Sequence, residues 1–290
     1  MVKKVKVGII GTGNIGTDLL MKVLKSDVLE MGVFAGRNPE SQGVLKAKQL
    51  GVKTTAESIN YIIKHPECCE IVFDATSAKV HFNNAPILRK LNKFAIDLTP
   101  AHIGKFIVPA VNLDEAMEAD NVNLVTCGGQ ATVPMAYALN KVADVKYLEI
   151  VATIASKSAG KGTRDNIDEF TQTTKEALME VGGIKKAKAI IVLNPAEPPI
   201  KMRNTVYAVI DNPDMNAISE TVKKMERTIQ EYVPGYKVIL GPLYENGRVT
   251  LSVEVTGSGD YLPEYAGNLD IITCSAIRVA EQYIIRHYGV

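Results

Sequence analysis

Residues 5–16 read VKVGIIGTGNIG, and this stretch decides the fold. The first six residues read as a buried strand. They run directly into Gly11-Thr12-Gly13-Asn14-Ile15-Gly16, a G-x-G-x-x-G, after which Leu19, Leu20, Val23 and Leu24 recur at helical spacing. The glycine pattern is weak alone. With a strand before it and a helix after it, it reads as the dinucleotide-binding turn of a doubly wound sheet. Gly11 then allows the tight turn, Gly13 lets a pyrophosphate approach, and Gly16 lets the helix pack closely on the strand. The phosphates would rest on the helix N-terminus. The competing reading is a glycine-rich turn with no ligand.

Working outward, residues 29–35, 71–75 and 94–98 read as further buried strands, and 39–50 and 57–64 as helices. Residues 107–111, with Pro109 inside, read as a poor strand or a loop. Strands alternating with helices imply a parallel sheet whose ligands bind beyond the carboxyl ends of its strands. Gly11, Thr76, Thr99 and Cys127 all follow expected strand ends. After the second strand come Gly36, Arg37 and Asn38, and the first acid is Glu40. A site selective for NAD often carries an acid there to bind the ribose hydroxyls. Without it, NADP is also possible, and Arg37 either greets a 2′-phosphate or is a solvated loop residue.

Residues 123–143, NLVTCGGQATVPMAYALNKVA, mark a strand-to-helix junction. Pro134 is tolerated if it falls in the helix's first turn. Cys127 would then meet unpaired N–H groups and the positive end of a helix dipole, which favour thiolate over thiol. The alternative is a small cysteine packed at a turn. Beyond residue 145 the character changes. Strands are expected at 147–155, 189–193, 206–210, 236–240 and 249–255, with helices at 166–181, 216–232 and 266–287. The last would return to the first domain. The small basic loop at residues 156–164, SKSAGKGTR, reads either as a phosphate-contacting segment or as an exposed loop.

Lysine and arginine total 33 against 32 acids, so nothing electrostatic suggests nucleic acid or an anionic membrane. No apolar run reaches the ~20 residues that span a bilayer, and MVKKVKVGII does not read as a signal peptide. Four cysteines without framework spacing suggest a reducing, cytoplasmic setting. Cys68 and Cys69 read as structural, Cys274 as core, and no metal site is expected.

The glycine fingerprint, TCGGQAT, the SKSAGKGTR loop, NPAEPP and YLPEYAGNLD together resemble the acylating acetaldehyde dehydrogenases. These are the enzymes that work with 4-hydroxy-2-oxovalerate aldolase in bacterial breakdown of aromatic compounds. The resemblance runs from Val5 to about Ile271, with a shortening between Tyr236 and Val249. It implies an α/β chain with a Rossmann-type sheet in residues 1–126, completed by helix 269–290. A second α+β catalytic and oligomerisation domain would span 127–268, on the plan of glyceraldehyde-phosphate dehydrogenase. It implies oxidation of a short aldehyde to acyl-CoA with NAD, CoA being the co-substrate. Cys127 matches the acyl-thioester cysteine, and Thr12, Gly13, Asn14 and Ile15 the pyrophosphate-contacting turn. Ser158, Ala159, Gly160, Lys161, Gly162, Thr163, Arg164, Asp165 and Asn166 match a second cofactor segment, and Asn268 a further contact. The family's aspartate that assists the cysteine is replaced by Asn204. Either the helix N-terminus alone generates the thiolate, or another carboxylate such as Glu197 serves. A homodimer or higher assembly, bound to an aldolase, is also implied.

Two other functions stay open on the residues. A phosphate-dependent aldehyde or semialdehyde dehydrogenase shares this plan, but generally pairs its cysteine with a histidine of the second domain. Here the histidines are His65, His81, His102 and His287, none between residues 103 and 286. The other is a dinucleotide-binding sensor without chemistry, in which Cys127 is merely buried.

Overall fold

The computed structural model describes residues 4–160, 163–164 and 167–289. The chain divides into two compact units. One takes the chain up to Ile107, Leu113–Leu124 and the segment from Thr273 onward; the other takes Val108–Asn112 and Val125–Ile272.

The first unit is built on seven strands: β1 (Val5–Ile10), β2 (Leu29–Ala35), β3 (Thr54–Thr55), β4 (Ile71–Asp74), β5 (Phe94–Asp97), β6 (Lys105–Phe106) and β7 (Asn121–Asn123). They lie in the order β3-β2-β1-β4-β5-β7-β6, and every pairing is parallel. β4 and β5 are buried along their whole length, as central strands covered on both faces are. The chain order reverses between β1 and β4, so the ends of these two strands form the switch point where such sheets bind ligands. Helices α1 (Asn14–Lys25), α2 (Gln42–Gln49), α3 (Ile59–Lys64) and α4 (Ala78–Lys90) connect the strands. On α1 the apolar stripe Leu19, Leu20 and Val23 is buried. Residues 107–111 do not form a strand: a short helix, α5 (Pro109–Asn112), starts at Pro109. Proline is favoured at the first helical position, where its missing N–H has no partner to lose.

Helix α4 carries no apolar stripe, and the sequence reading passed over it. Its buried residues are His81, Asn84 and Leu88, and the polar pair serves a buried network. His81 Nδ1 lies 2.9 Å from Asp74 Oδ2, which also accepts from Asn84 Nδ2 at 2.8 Å. His81 Nε2 lies 3.5 Å from Asp97 Oδ2. Asp97 accepts from the Thr99 N–H at 2.8 Å and from Asn123 Nδ2 at 2.7 Å. Burial works to lower the His81 pKa, but the hydrogen bond to Asp74 and the charges of Asp97 and Asp74 together raise it. Burial pushes Asp97 up to about 7, against the His81 charge and the Thr99 bonds that lower it.

Both folded-state pKa values are raised, so both groups contribute stability that is full below their unfolded pKa values and lost as pH rises through the folded ones. For Asp97 that window runs from about 4, the unfolded value, to about 7. Asp97→Asn is therefore expected to flatten the fall of the thermal midpoint between pH 4 and pH 7. The difference in stability between variant and parent should move by on the order of a few kcal/mol across the window. A difference independent of pH would refute this assignment.

The second unit holds a five-stranded sheet: β8 (Val145–Ala155), β9 (Ala187–Asn194), β10 (Met202–Ile210), β11 (Tyr236–Glu245) and β12 (Arg248–Val255). The order is β11-β12-β10-β8-β9, antiparallel except for the β8–β9 pair. Helix α6 (Cys127–Val142) packs on β8, β10 and β12, with α7 (Ile167–Glu180) and α8 (Met215–Gln230) beside it. Met202, Asn204, Val206, Ala208 and Ile210 point into the buried side of the sheet. Tyr236, fully buried, ties β11 to α6 by donating to the Ala131 carbonyl at 2.7 Å. On the other side of the sheet, Tyr147, Val151, Tyr207 and Val209 are partly or fully exposed. Helix α9 (Gly267–Tyr288) closes the chain, with most of its length in the first unit.

Candidate active site

The candidate site residues fall into two sets, one in each unit. In the first unit the turn after β1 is shaped by contacts that side chains would block. Gly11 has φ +107°, and a Cβ there would lie 2.4 Å from the Ala75 carbonyl oxygen. A Cβ on Gly16 would lie 1.8 Å from the Gly11 carbonyl oxygen, so α1 can seat on the turn only with glycine there. Gly13 differs: it is exposed, has φ −82°, and a Cβ would meet nothing within 4 Å. No side chain caps α1. Open space at Gly13 above an uncapped helix N-terminus fits a pyrophosphate group. Thr12, Asn14 and Ile15 border it, each partly exposed.

The missing acid after β2 has a steric reason. A Cβ on Gly36 would lie 2.7 Å from the Thr12 side chain, and Thr12 Oγ1 is 3.1 Å from Ser41 Oγ. Arg37 is exposed.

In the second unit Cys127 is the first residue of α6, not the residue before it. Val125, buried and β-branched, has φ +61°, a left-handed conformation that such residues rarely adopt. This turn aims the chain from β7 into α6. It also explains Gly129, where a Cβ would strike Val125 Cγ1 at 2.5 Å. Gly128 fits between Phe170 and Ala152, 2.9 and 3.2 Å from a Cβ placed there. Thr126 caps the helix: its Oγ1 accepts from the Gly129 N–H at 2.9 Å and lies 2.7 Å from Thr174 Oγ1, which donates to the Phe170 carbonyl. The Gln130 N–H goes to the Thr126 carbonyl. The remaining first-turn N–H groups, those of Gly128 and Cys127, act on the cysteine sulfur. Thr126 was not singled out from the sequence, although a threonine before a helix start is a capping signal.

Two expectations fail here. Pro134 lies inside α6, past its first turn, so the helix interior loses a backbone hydrogen bond. And the thiolate is not favoured: burial pushes the Cys127 thiol up to about 12, outweighing the two N–H groups that lower it. Among the described residues, no carboxylate or imidazole is one of the groups acting on that sulfur.

Asn204 stands on β10, opposite Ala152 of β8 and Val253 of β12. Ala152 is the residue Gly128 packs against, so Asn204 lies on the sheet face beneath the start of α6. It is fully buried, and among the described residues neither Oδ1 nor Nδ2 has a hydrogen-bond partner. Asn268, the second residue of α9, is also buried, and its Oδ1 has no partner among the described residues. Such orphaned groups cost on the order of 1–3 kcal/mol each, and a bound ligand would satisfy them. Asn204→Asp is expected to keep activity and to shift the alkylation profile of Cys127 to higher pH, since an ionised carboxylate disfavours a neighbouring thiolate. Burial without partners raises a carboxyl pKa. The variant should therefore match the parent's thermal midpoint near pH 5 and fall below it near pH 8. A downward shift of the alkylation profile would overturn this and make the acid an acceptor for the thiol proton.

Glu197 is exposed and paired with Lys157 at 2.5 Å, a solvated surface pair rather than a base held against the sulfur. Of the 158–166 segment, Lys161, Gly162, Asp165 and Asn166 lie outside the described residues. Ser158 is buried and donates to the Ala155 carbonyl at 2.9 Å; Ala159 is buried beside it. Arg164 Nη2 donates to the Ser156 carbonyl at 2.7 Å and to Ser156 Oγ at 2.8 Å, and its Nε to the Ala159 carbonyl at 3.2 Å. Its guanidinium therefore braces the loop. Gly160 has open space around it, and Thr163 is partly exposed. All four histidines belong to the first unit. Among the described residues, no three His, Cys, Asp or Glu side chains converge to hold a metal, and no helix is long and apolar enough to cross a membrane.

A parallel unit with a glycine turn, joined to a mixed-sheet unit, is a fold shared with a dehydrogenase of known structure. The structure of aspartate semialdehyde dehydrogenase II from Vibrio cholerae superposes with a TM-score of 0.67 at 13% identity, covering 99% of this chain and all of that one. Residues 6–119 match the semialdehyde dehydrogenase NAD-binding domain, and residues 127–263 the dimerisation domain of prokaryotic acetaldehyde dehydrogenase. The acetaldehyde dehydrogenase of Geobacillus stearothermophilus is 53% identical over 281 residues, 96% of each chain. Acetaldehyde dehydrogenase 2 of Metapseudomonas furukawaii is 54% identical over 288 residues, 98% of this chain and 95% of that one. The chain belongs to the acetaldehyde dehydrogenase family.

Proposed function

We propose that this protein oxidises acetaldehyde and other short aldehydes to acyl-CoA, with NAD as hydride acceptor and CoA as acyl acceptor. The observation that carries the reading is Cys127 at the first position of a buried helix, where the Cys127 and Gly128 N–H groups favour its ionised form. The Cys127 thiol releases its proton to water as its sulfur adds to the aldehyde carbon, and the Cys127 and Gly128 N–H groups are the chain's own donors for the oxyanion that develops. Bound NAD supplies the acceptor for the hydride that leaves this carbon. A thioester on Cys127 results, and the CoA thiol releases it as acyl-CoA. Thr126 and Thr174 hold the first turn in place throughout. The residues of the first unit fitted to hold NAD are Gly11–Gly16, whose turn leaves open space at Gly13 for the pyrophosphate. With no acid after β2, NADP should also be accepted.

The phosphate-dependent reading lacks a histidine in the second unit. The deciding experiment follows NADH formation from acetaldehyde with CoA, then with phosphate or arsenate in its place, and repeats the first with NADP. Turnover with CoA alone supports the proposal. Turnover with phosphate gives the related phosphate-dependent reaction, and none with either leaves a dinucleotide-binding sensor. The exposed sheet face bearing Tyr147, Val151, Tyr207 and Val209 is the natural homo-oligomer surface. An aldolase that delivers acetaldehyde directly is the expected partner, and cytoplasm the expected setting. Coexpression with the aldolase and co-purification at moderate salt tests the partnership.

A further inference from the structure

Cys68 and Cys69 are more than packing. They follow α3 and lead into β4, and their sulfurs are 3.7 Å apart. Cys69 is fully buried, in a cluster with Ile10, Val33, Val72 and Leu88. Cys68 is partly exposed and lines a cleft of about 520 Å³ together with Lys6, Glu30, Lys53, Glu67, Leu24 and Leu50. Two glycines make room for the pair. A Cβ on Gly32 would lie 1.9 Å from the Cys68 carbonyl oxygen, and one on Gly8 would lie 3.0 Å from Cys69 Sγ. One thiol thus faces solvent at a cleft lined by both signs of charge, and its neighbour waits behind it, shielded from bulk reagents.

We propose that Cys68 and Cys69 are a reversible redox pair, in which Cys68 attacks a small zwitterionic disulfide entering the cleft and Cys69 resolves the product. In the first step the Cys68 thiolate attacks one sulfur of R–S–S–R. A mixed disulfide forms on Cys68, and the first R–S⁻ leaves and takes up a proton. In the second step Cys69 loses its proton and its sulfur attacks the Cys68 sulfur. The Cys68–Cys69 bond forms, and the second R–S⁻ leaves with that proton. Two thiols are oxidised by two electrons, and the external disulfide is reduced to two thiols.

The surroundings divide the roles. The hydrogen bond from Cys69 lowers the Cys68 thiol to about 7; burial and Glu67 oppose it, while Lys93 and Lys53 assist. The same bond, with burial, pushes Cys69 well above the ordinary thiol range. Cys68 is therefore the more readily ionised thiol of the pair, and more readily ionised than Cys127. Adjacent Cα atoms are about 3.8 Å apart, below the ~4.4 Å lower end of the usual disulfide range, so the closed ring is strained and readily reduced again.

The test treats the full-length protein with oxidised glutathione at pH 7.5, alkylates the remaining thiols and maps the peptides by mass. The Cys68–Cys69 peptide should lose two hydrogens and resist alkylation, at least about tenfold faster than Cys127 or Cys274 takes up glutathione. A dithiol reductant should restore it. Cys69→Ser should trap glutathione on Cys68, and Cys68→Ala should leave Cys69 unmodified. The rate at Cys68 should level off above about pH 8, while that at Cys127 keeps rising. Glutathione on Cys127 or Cys274 with the pair still reduced overturns the proposal. So does a Cys68→Ala variant whose Cys69 reacts as fast as the parent pair.

Discussion

Mixed with NAD and acetaldehyde but no CoA, the protein is expected to form at most one NADH per Cys127 and then stop. The thioester has no acceptor, and hydrolysis is the only way out. Cys127→Ala should abolish this burst, because it removes the only thiol at the start of α6 among the described residues. Cys127→Ser should slow it by roughly a thousandfold or more, since a hydroxyl is a far weaker nucleophile near neutral pH. The pH dependence carries a second signature. Burial holds the thiol up to about 12 in the free protein. Its alkylation without cofactor should therefore rise by up to about tenfold per pH unit from 7 to 10, with no plateau. A burst that survives in the alanine variant would remove the thioester mechanism. A plateau near pH 8 would mean that the helix N-terminus overcomes burial after all.

Gly16→Ala and Gly13→Ala should separate folding from binding. At Gly16 the added methyl would lie 1.8 Å from the Gly11 carbonyl oxygen, so either the turn or α1 must move. Backbone displacements of this kind cost on the order of 1–3 kcal/mol or more. The variant should melt several degrees lower and bind no dinucleotide measurably. At Gly13 the methyl has open space and an ordinary φ of −82°. Gly13→Ala should melt like the parent, yet bind NAD about tenfold more weakly or worse, because the methyl enters the space kept for the pyrophosphate. Calorimetry of melting and of NAD binding reads both. Undiminished NAD affinity in the Gly13 variant would show that the phosphates lie elsewhere.

The parallel unit was legible because its signals are local. β1, the glycine turn and the Leu19-Leu20-Val23 stripe lie within residues 5–23, and each follows from burial period or backbone freedom. Helix α4 was not legible because its inward face is polar. His81 and Asn84 look like surface residues until Asp74 and Asp97, on separate strands, are brought beside them. The α5 segment was misread because Pro109 was taken as a strand interruption, whereas it starts a helix.

At the candidate site, the residue types of TCGGQAT were enough to pick out Cys127 and to place it where a helix begins. Nothing in those letters reveals Val125 in the left-handed region, the Gly129 contact that follows from it, or Thr174 behind the Thr126 cap. The state of the sulfur was misjudged for the same reason. A helix N-terminus can be read from a string of residues, but the loss of solvent around it depends on how the sheet and α7 cover it. The sequence by itself determined the glycine turn and picked out Cys127 and Asn204 as candidates, since these rest on residue identity and short-range backbone geometry. Only the tertiary structure decided the desolvation that raises the Cys127 thiol, the buried charge network and the approach of the Cys68 and Cys69 sulfurs, because desolvation and charge pairing depend on groups brought together from distant parts of the chain.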